Sequence, residues 1–173
     1  MEGIPRASVR LLFLDVDGVM TDGHILLGED GRELKSFHVK DGLGLKVLQA
    51  AGIEVVIVSS RSSSAVLRRA EELGIASGHQ GVADKARLCR HVMAERGRHR
   101  EQVASMGDDL PDLCMFQVAG VRITVADGAE EVRRAAHYVT RRDGGEGAVR
   151  EACEWLLKAR GKWPQAPGET PGK

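Results

Sequence analysis

Apolar residues in this chain arrive in two alternating rhythms. Short β-branched runs, VRLLFLDV (9–16), IEVVIVSS (53–60), QVASM (102–106) and VRITVAD (121–127), carry three or more apolar positions almost without interruption. Between them lie GLKVLQAAG (44–52), AVLRRAEELG (65–74) and DKARLCRHVMAERG (84–97), whose apolar residues recur at three- and four-residue spacing. The first pattern suits strands buried on both faces and the second suits amphipathic helices. Their alternation predicts βαβ units, hence an α/β fold with a doubly wound parallel sheet and helices on both faces. One interruption comes early: HILLGEDGRELKSFHV (24–39) reads as two extended runs around the turn GEDG, a small β-hairpin between the first strand and the first helix. The last helical stretch is AVREACEWLLKAR (148–160), and KWPQAPGETPGK after it is rich in Pro and Gly. The expected organisation is one domain over residues 1–160 and a disordered tail over 161–173. No internal repeat is visible.

Composition narrows the function classes. The chain has 173 residues, 42% of them hydrophobic, enough for one domain with a real core. Lys plus Arg and Asp plus Glu each total 25, so no global positive field favours nucleic acid or an anionic membrane. No apolar run approaches the roughly 20 residues that cross a bilayer, and MEGIPRASVR lacks a signal-peptide core. A soluble cytoplasmic protein is expected. Cys89, Cys114 and Cys153 are odd in number and show no CxxC, as expected of reduced thiols with no chemical role. The six histidines have no metal-ligand spacing.

In open α/β sheets the ligand sits beyond the carboxyl ends of the strands. Those ends deliver Asp15 and Asp17, then Ser59, Ser60 and Arg61, then Gly107, Asp108 and Asp109 with Asp112 one turn on, while Lys85 opens a helix. Each has a plainer reading alone: Asp109 before Leu-Pro-Asp as a helix cap, Lys85 as a solvated charge. DVDGVMTDG is not an EF-hand loop, because Val19 occupies a ligand position and a strand precedes it. Together the acids, hydroxyl and lysine are the parts of Mg²⁺-assisted phosphoryl transfer: a carboxylate nucleophile, a second acid, a metal clamp and donors to phosphoryl oxygens.

The ordered set LDVDG, VSSR, DK and GDDLPD resembles the four motifs of the haloacid dehalogenase superfamily of phosphatases. More narrowly, DVDGVMTDG, VKDGLGLKVLQAAGIEVVIVSSRSS, QGVADK and GGEGAVREAC resemble the 3-deoxy-D-manno-octulosonate 8-phosphate phosphatase family, over residues 9–157. The resemblance implies a Rossmann-like, capless fold. Asp15 would be the nucleophile that forms an aspartyl-phosphate, and Asp17 the general acid and base. Mg²⁺ would be held by Asp15, the Asp17 carbonyl and Asp108. Ser59 and Lys85 would bind phosphoryl oxygens, with Asp109 and Asp112 positioning the metal shell and Lys85. Also implied are a sugar-acid phosphate substrate, a role in lipopolysaccharide biosynthesis, and a homotetramer whose neighbouring subunit covers the open site. Lys40, Ser60, Arg61 and Arg150 are the candidates to bind the substrate's anionic groups, and RRDGGEGAVRE (141–151) is expected to act as a mobile lid on a neighbour.

The chain departs from the family where Ser60 replaces the usual Gly and Pro111 the usual Asn, which bears on sugar preference more than on reaction type. Three other readings stay open at this point. A nonulosonate 9-phosphate presents the same phosphate and carboxylate ends. A response-regulator receiver domain uses similar parts, but its phosphorylated Asp lies on the middle strand, which here ends in Ser-Ser-Arg. A non-catalytic oligomerisation domain of sugar-nucleotide synthesis would not need the acids and lysine intact.

Overall fold

A computed structural model describes residues 3–164. Six strands form one parallel sheet: β1 (Leu11–Leu14), β4 (Glu54–Val58), β5 (Ser77–His79), β6 (Val103–Met106), β7 (Val121–Thr124) and β8 (Tyr138–Val139). A separate antiparallel pair, β2 (Leu26–Leu27) and β3 (Glu33–Leu34), is the hairpin. The helices are α1 (Val39–Ala50), α2 (Ser64–Leu73), α3 (Lys85–Glu95), α4 (Leu113–Val118), α5 (Glu130–Ala135) and α6 (Ala148–Lys158).

Strand order is β5-β4-β1-β6-β7-β8. The chain winds outward from β1 through β4 to β5, then returns to lay β6 on the other side of β1. This reversal opens a crevice at the carboxyl ends of β1 and β6, where doubly wound sheets bind ligands. Register aligns Leu14 with both Ile57 and Met106, so the residues that follow β1, β4 and β6 emerge side by side.

Alternation along β1 explains the two cores. Leu12 and Leu14 point to the face covered by Leu45 and Leu48 of α1 and by Val149, Ala152 and Leu156 of α6. Leu11 and Phe13 point to the other face, against Cys89 and Val92 of α3 and Met115 of α4. All four β1 residues are fully buried. At ~25 cal/mol per Å² such burial is what holds the site's scaffold rigid.

Several elements differ from expectation. The hairpin pairs only two residues on each side, and α1 begins at Val39, inside the stretch read as extended. The edge strands β5 and β8 lack apolar runs: SGH and YV are defined by their pairing with β4 and β7. Of the expected tail, residues beyond Pro164 lie outside the described residues, while Trp163 packs against the core. Among the described residues no helix is long and apolar enough to cross a membrane.

Candidate active site

The loop after β1 begins with Asp15, whose backbone amide donates to the Met106 carbonyl and so extends the ladder by one residue. The chain then closes on itself: the amides of Val19, Met20 and Thr21 all donate to the Val16 carbonyl at 2.8–3.2 Å. Gly18 at φ +85° makes that turn possible, and a Cβ there would stand 2.0 Å from Asp108 Oδ2. The Asp108 carboxylate therefore lies directly against the Asp17–Gly18 peptide. Only a residue without a side chain fits between them.

Lys85, at the start of α3, reaches into the crevice. Its Nζ lies 2.7 Å from Asp15 Oδ1 and 2.7 Å from Asp112 Oδ1, with all three groups buried. Asp112 Oδ2 accepts the amides of Asp108 at 3.0 Å and Asp109 at 3.3 Å. Both Asp112 oxygens are thus committed to holding Lys85 and the loop after β6. Ser59 is buried, and its Oγ accepts the Arg61 amide at 3.2 Å. Asp109 does cap the following 3₁₀ turn, its Oδ1 accepting the Leu110 amide at 2.8 Å.

A cleft of about 310 Å³ is lined by Asp15, Asp17, Ser59, Ser60, Arg61, Lys85, Asp108, Asp109, Pro111 and Asp112. A larger cavity, about 1020 Å³, lies beside it between the hairpin and α2, but holds none of these acids. The chemistry belongs to the smaller one. Asp15, Asp108 and Asp112 each place an oxygen within 4.8 Å of the others. Burial, then the Asp112 charge, push the Asp15 carboxyl up to about 7 against the pull of Lys85. Burial, then Asp15, Asp112 and Asp109, raise Asp108 to about 8. Burial disfavours the Lys85 ammonium, but Asp15 and Asp112 outweigh it, so the lysine stays charged. Five aspartates against Lys85 and Arg61 leave the cleft with an excess of acidic groups. A hard divalent ion with oxygen ligands fits that excess. Both Asp112 oxygens are already engaged, so Asp15 and Asp108 would supply the carboxylate ligands, and the Asp17 carbonyl stays a ligand implied by the resemblance alone.

A family model for haloacid dehalogenase-like hydrolases matches residues 79–151. The 3-deoxy-D-manno-octulosonate 8-phosphate phosphatase KdsC of Yersinia pestis is 43% identical over 162 residues, covering 94% of this chain and 87% of that protein. The chain belongs to the 3-deoxy-D-manno-octulosonate 8-phosphate phosphatase family. The KdsC of Escherichia coli K12 is 41% identical over 163 residues, with the same coverage of both chains. Among solved structures, the Moraxella catarrhalis phosphatase in complex with magnesium, phosphate and KDO superposes with a TM-score of 0.88. It is 43% identical, over 91% of this chain and 90% of that one. The cobalt-bound Haemophilus influenzae phosphatase gives 0.88 at 39% identity, over 91% and 92%.

Within this phosphatase-family fold, two of the expected anion ligands lie outside the cleft of their own chain. Lys40 is exposed in the first turn of α1, and Arg150 does not line the cleft of its own chain. The Arg150 amide donates to Asp41 Oδ1 at 2.7 Å, its Nε to Glu154 Oε1 at 2.8 Å, and its guanidinium lies over the Trp163 ring at 4.6 Å. The glycines expected to make a mobile lid are packed instead. Gly145 N donates to the Val19 carbonyl, Gly144 N to Asp127 Oδ1, and a Cβ on Gly144 would lie 1.9 Å from the Gly18 carbonyl oxygen. This segment is a buttress beneath the Asp15 loop. Sequence reasoning missed Glu33 and Lys35, hairpin residues that reach Asp17 and Arg61. A charged pair on a short hairpin carries no signal of that reach.

Proposed function

We propose that the protein is a Mg²⁺-dependent phosphatase that hydrolyses 3-deoxy-D-manno-octulosonate 8-phosphate through a phosphorylated Asp15. The observation that carries this reading is the Asp15–Lys85–Asp112 network at the β1/β6 crevice, in a chain 41–43% identical to curated KdsC enzymes. Magnesium, when bound, supplies positive charge to the developing phosphoryl oxygens.

The residues then divide the work. Lys85 fixes Asp15 through Oδ1 and lowers the cost of keeping it ionised. An Asp15 oxygen attacks phosphorus in line as the P–O ester bond breaks, and the ester oxygen takes a proton from Asp17. Water then returns a proton to Asp17 and attacks phosphorus, the Asp15–phosphorus bond breaks, and phosphate leaves. Ser59 and Lys85 bind the equatorial oxygens, with Ser60 and Arg61 at the cleft rim toward the sugar.

Residues 1–160 act as one catalytic domain, a reading supported by contacts that join its ends: Arg160 Nη1 to the Val9 carbonyl, and Arg6 over the Trp155 ring. The site is capless, so the hairpin is the natural place for a second copy. A two-stranded ribbon is marginal alone in water, and this one exposes Ile25, Leu26, Leu27 (70% exposed) and Leu34, with Val39 (81%) beside it. These features support a homotetramer built on the hairpins, with a neighbour covering the cleft. Three free cysteines are in keeping with the reducing cytoplasm as the site of action. The test is a steady-state screen of sugar phosphates with Mg²⁺, ranked by kcat/KM. The octulosonate 8-phosphate should lead, and Asp15→Asn should abolish its turnover. A nonulosonate 9-phosphate ranking first would reassign the substrate.

A further inference from the structure

The hairpin and the catalytic loop are joined by four charged side chains that close a ring. Lys35 Nζ hydrogen-bonds to Asp17 Oδ1 and lies 2.7 Å from Glu33 Oε1. Arg61 Nη2 is 3.3 Å from Glu33 Oε2, and Arg61 Nε is 3.9 Å from Asp17 Oδ2. Acid and base alternate, so the ring is neutral. Its members differ in surroundings: the Lys35 side chain is 1% exposed, whereas that of Arg61 is 46% exposed. A buried ammonium is costly unless paired, and its charge-assisted hydrogen bond is both strong and directional. Arg61, at 3.9 Å, is too far from Asp17 Oδ2 to hydrogen-bond.

We propose that Lys35 is the positioning residue for Asp17: it ties down Oδ1 and so leaves Oδ2 as the oxygen that meets the leaving group. Glu33 holds Lys35 from behind and draws Arg61 off Asp17. This rests on the acid–base role given to Asp17 above. Orientation of that carboxylate governs two proton transfers, one to the leaving oxygen and one from the water that attacks the phosphorylated Asp15. An alkyl sugar phosphate depends on it in both steps, and p-nitrophenyl phosphate, whose leaving group is stable as an anion, in the water step alone.

The experiment compares kcat and KM of the full-length protein on a sugar phosphate and on p-nitrophenyl phosphate. Lys35→Met should lower kcat on the sugar phosphate by about 10–100-fold, within the range typical of proton-transfer catalysis, and by several-fold less on the aryl ester. Lys35→Arg should recover most of the loss. If Lys35→Met does not fold, Lys35→Gln is put to the same comparison. Equal losses on both substrates, or no loss on either, overturn the proposal. A double variant separates it from the reading beneath it. Asp17→Asn alone should show the same selective loss, and adding Lys35→Met to it should cost nothing further. Additive losses overturn the positioning role, while an unselective Asp17→Asn overturns the general-acid role of Asp17 and this proposal with it.

Discussion

Metal binding and protonation compete for the same carboxylates, and the geometry sets the size of that competition. In the metal-free protein Asp15 titrates at about 7 and Asp108 at about 8, both lifted first by burial and then by neighbouring acids. Mg²⁺ requires both ionised. At pH 6, removing the protons costs a factor of about 10 at Asp15 and about 100 at Asp108, ~4 kcal/mol together. At pH 8 the combined factor falls to about 2. The apparent Mg²⁺ dissociation constant should therefore rise several hundredfold, on the order of 500-fold, between pH 8 and pH 6. Titration calorimetry in buffers of different ionisation enthalpy counts the protons directly: about two should leave per Mg²⁺ at pH 6 and about 0.6 at pH 8. Stability follows with a definite sign. A carboxylate whose folded value is raised contributes stability that is present below its unfolded value, near 4, and is lost as pH rises through 7 to 8. Mg²⁺ offsets that loss, so the melting temperature gained on adding it should grow from pH 6 to pH 8. A dissociation constant that changes by less than about tenfold, with under about half a proton released at pH 6, would falsify the clustering argument.

Other consequences are simpler to test. Gly147 occupies the N-cap of α6 with no side chain to offer, and Asp41 of α1 supplies the missing acceptor to the Arg150 amide. Asp41→Ala should lower unfolding free energy by ~1–2 kcal/mol. Asp41→Asn should lose less, because it keeps an acceptor and removes a charge whose Oδ2 has no partner; equal losses by chemical denaturation would contradict the capping role. Gly144→Ala places a methyl group against the Gly18 carbonyl, so turnover on both aryl and sugar phosphates should collapse together; wild-type rates would remove the buttress. On the proposed hairpin-built tetramer, Leu27→Asp should shift native mass toward monomer, and an unchanged mass would contradict that assembly.

The residues gathered at the cleft were legible because each follows a buried strand or opens a helix in the doubly wound pattern. Asp15 and Asp17 follow LLFL, Ser59 follows VVIV, Asp108 follows VASM across one glycine, and Lys85 begins α3. An uninterrupted apolar run fixes the strand, and the topology then fixes which polar residues share an edge. β5 and β8 were not legible for the converse reason. At a sheet edge a strand is defined by its one partner, and SGH has no apolar run to announce it. The hairpin was placed correctly but drawn too long, because the residues from Lys35 to His38 alternate like a strand yet leave the ladder to make the ion pairs of Lys35 and the cap of α1.

GGEG shows where residue type alone misleads. A glycine has no Cβ, and that single property serves either freedom of the backbone or close approach of one backbone to another. The sequence offers the same letters for both. Here the partner decides: Gly144 sits against Gly18, Gly145 donates to Val19, and Asp127 holds Gly144 from the far side. The absence of side chains at 144 and 145 lets this segment press on the loop that carries Asp15 and Asp17. Rigidity at Asp15 is the result, since a group placed within about 0.5 Å of a working geometry needs support from behind as well as from its own strand. Arg150 follows from the same packing. Its amide is fixed by Asp41 and its guanidinium by Glu154 and Trp163, so it anchors the helix that anchors the buttress. Within its own chain an acid and an aromatic ring thus satisfy the Arg150 charge.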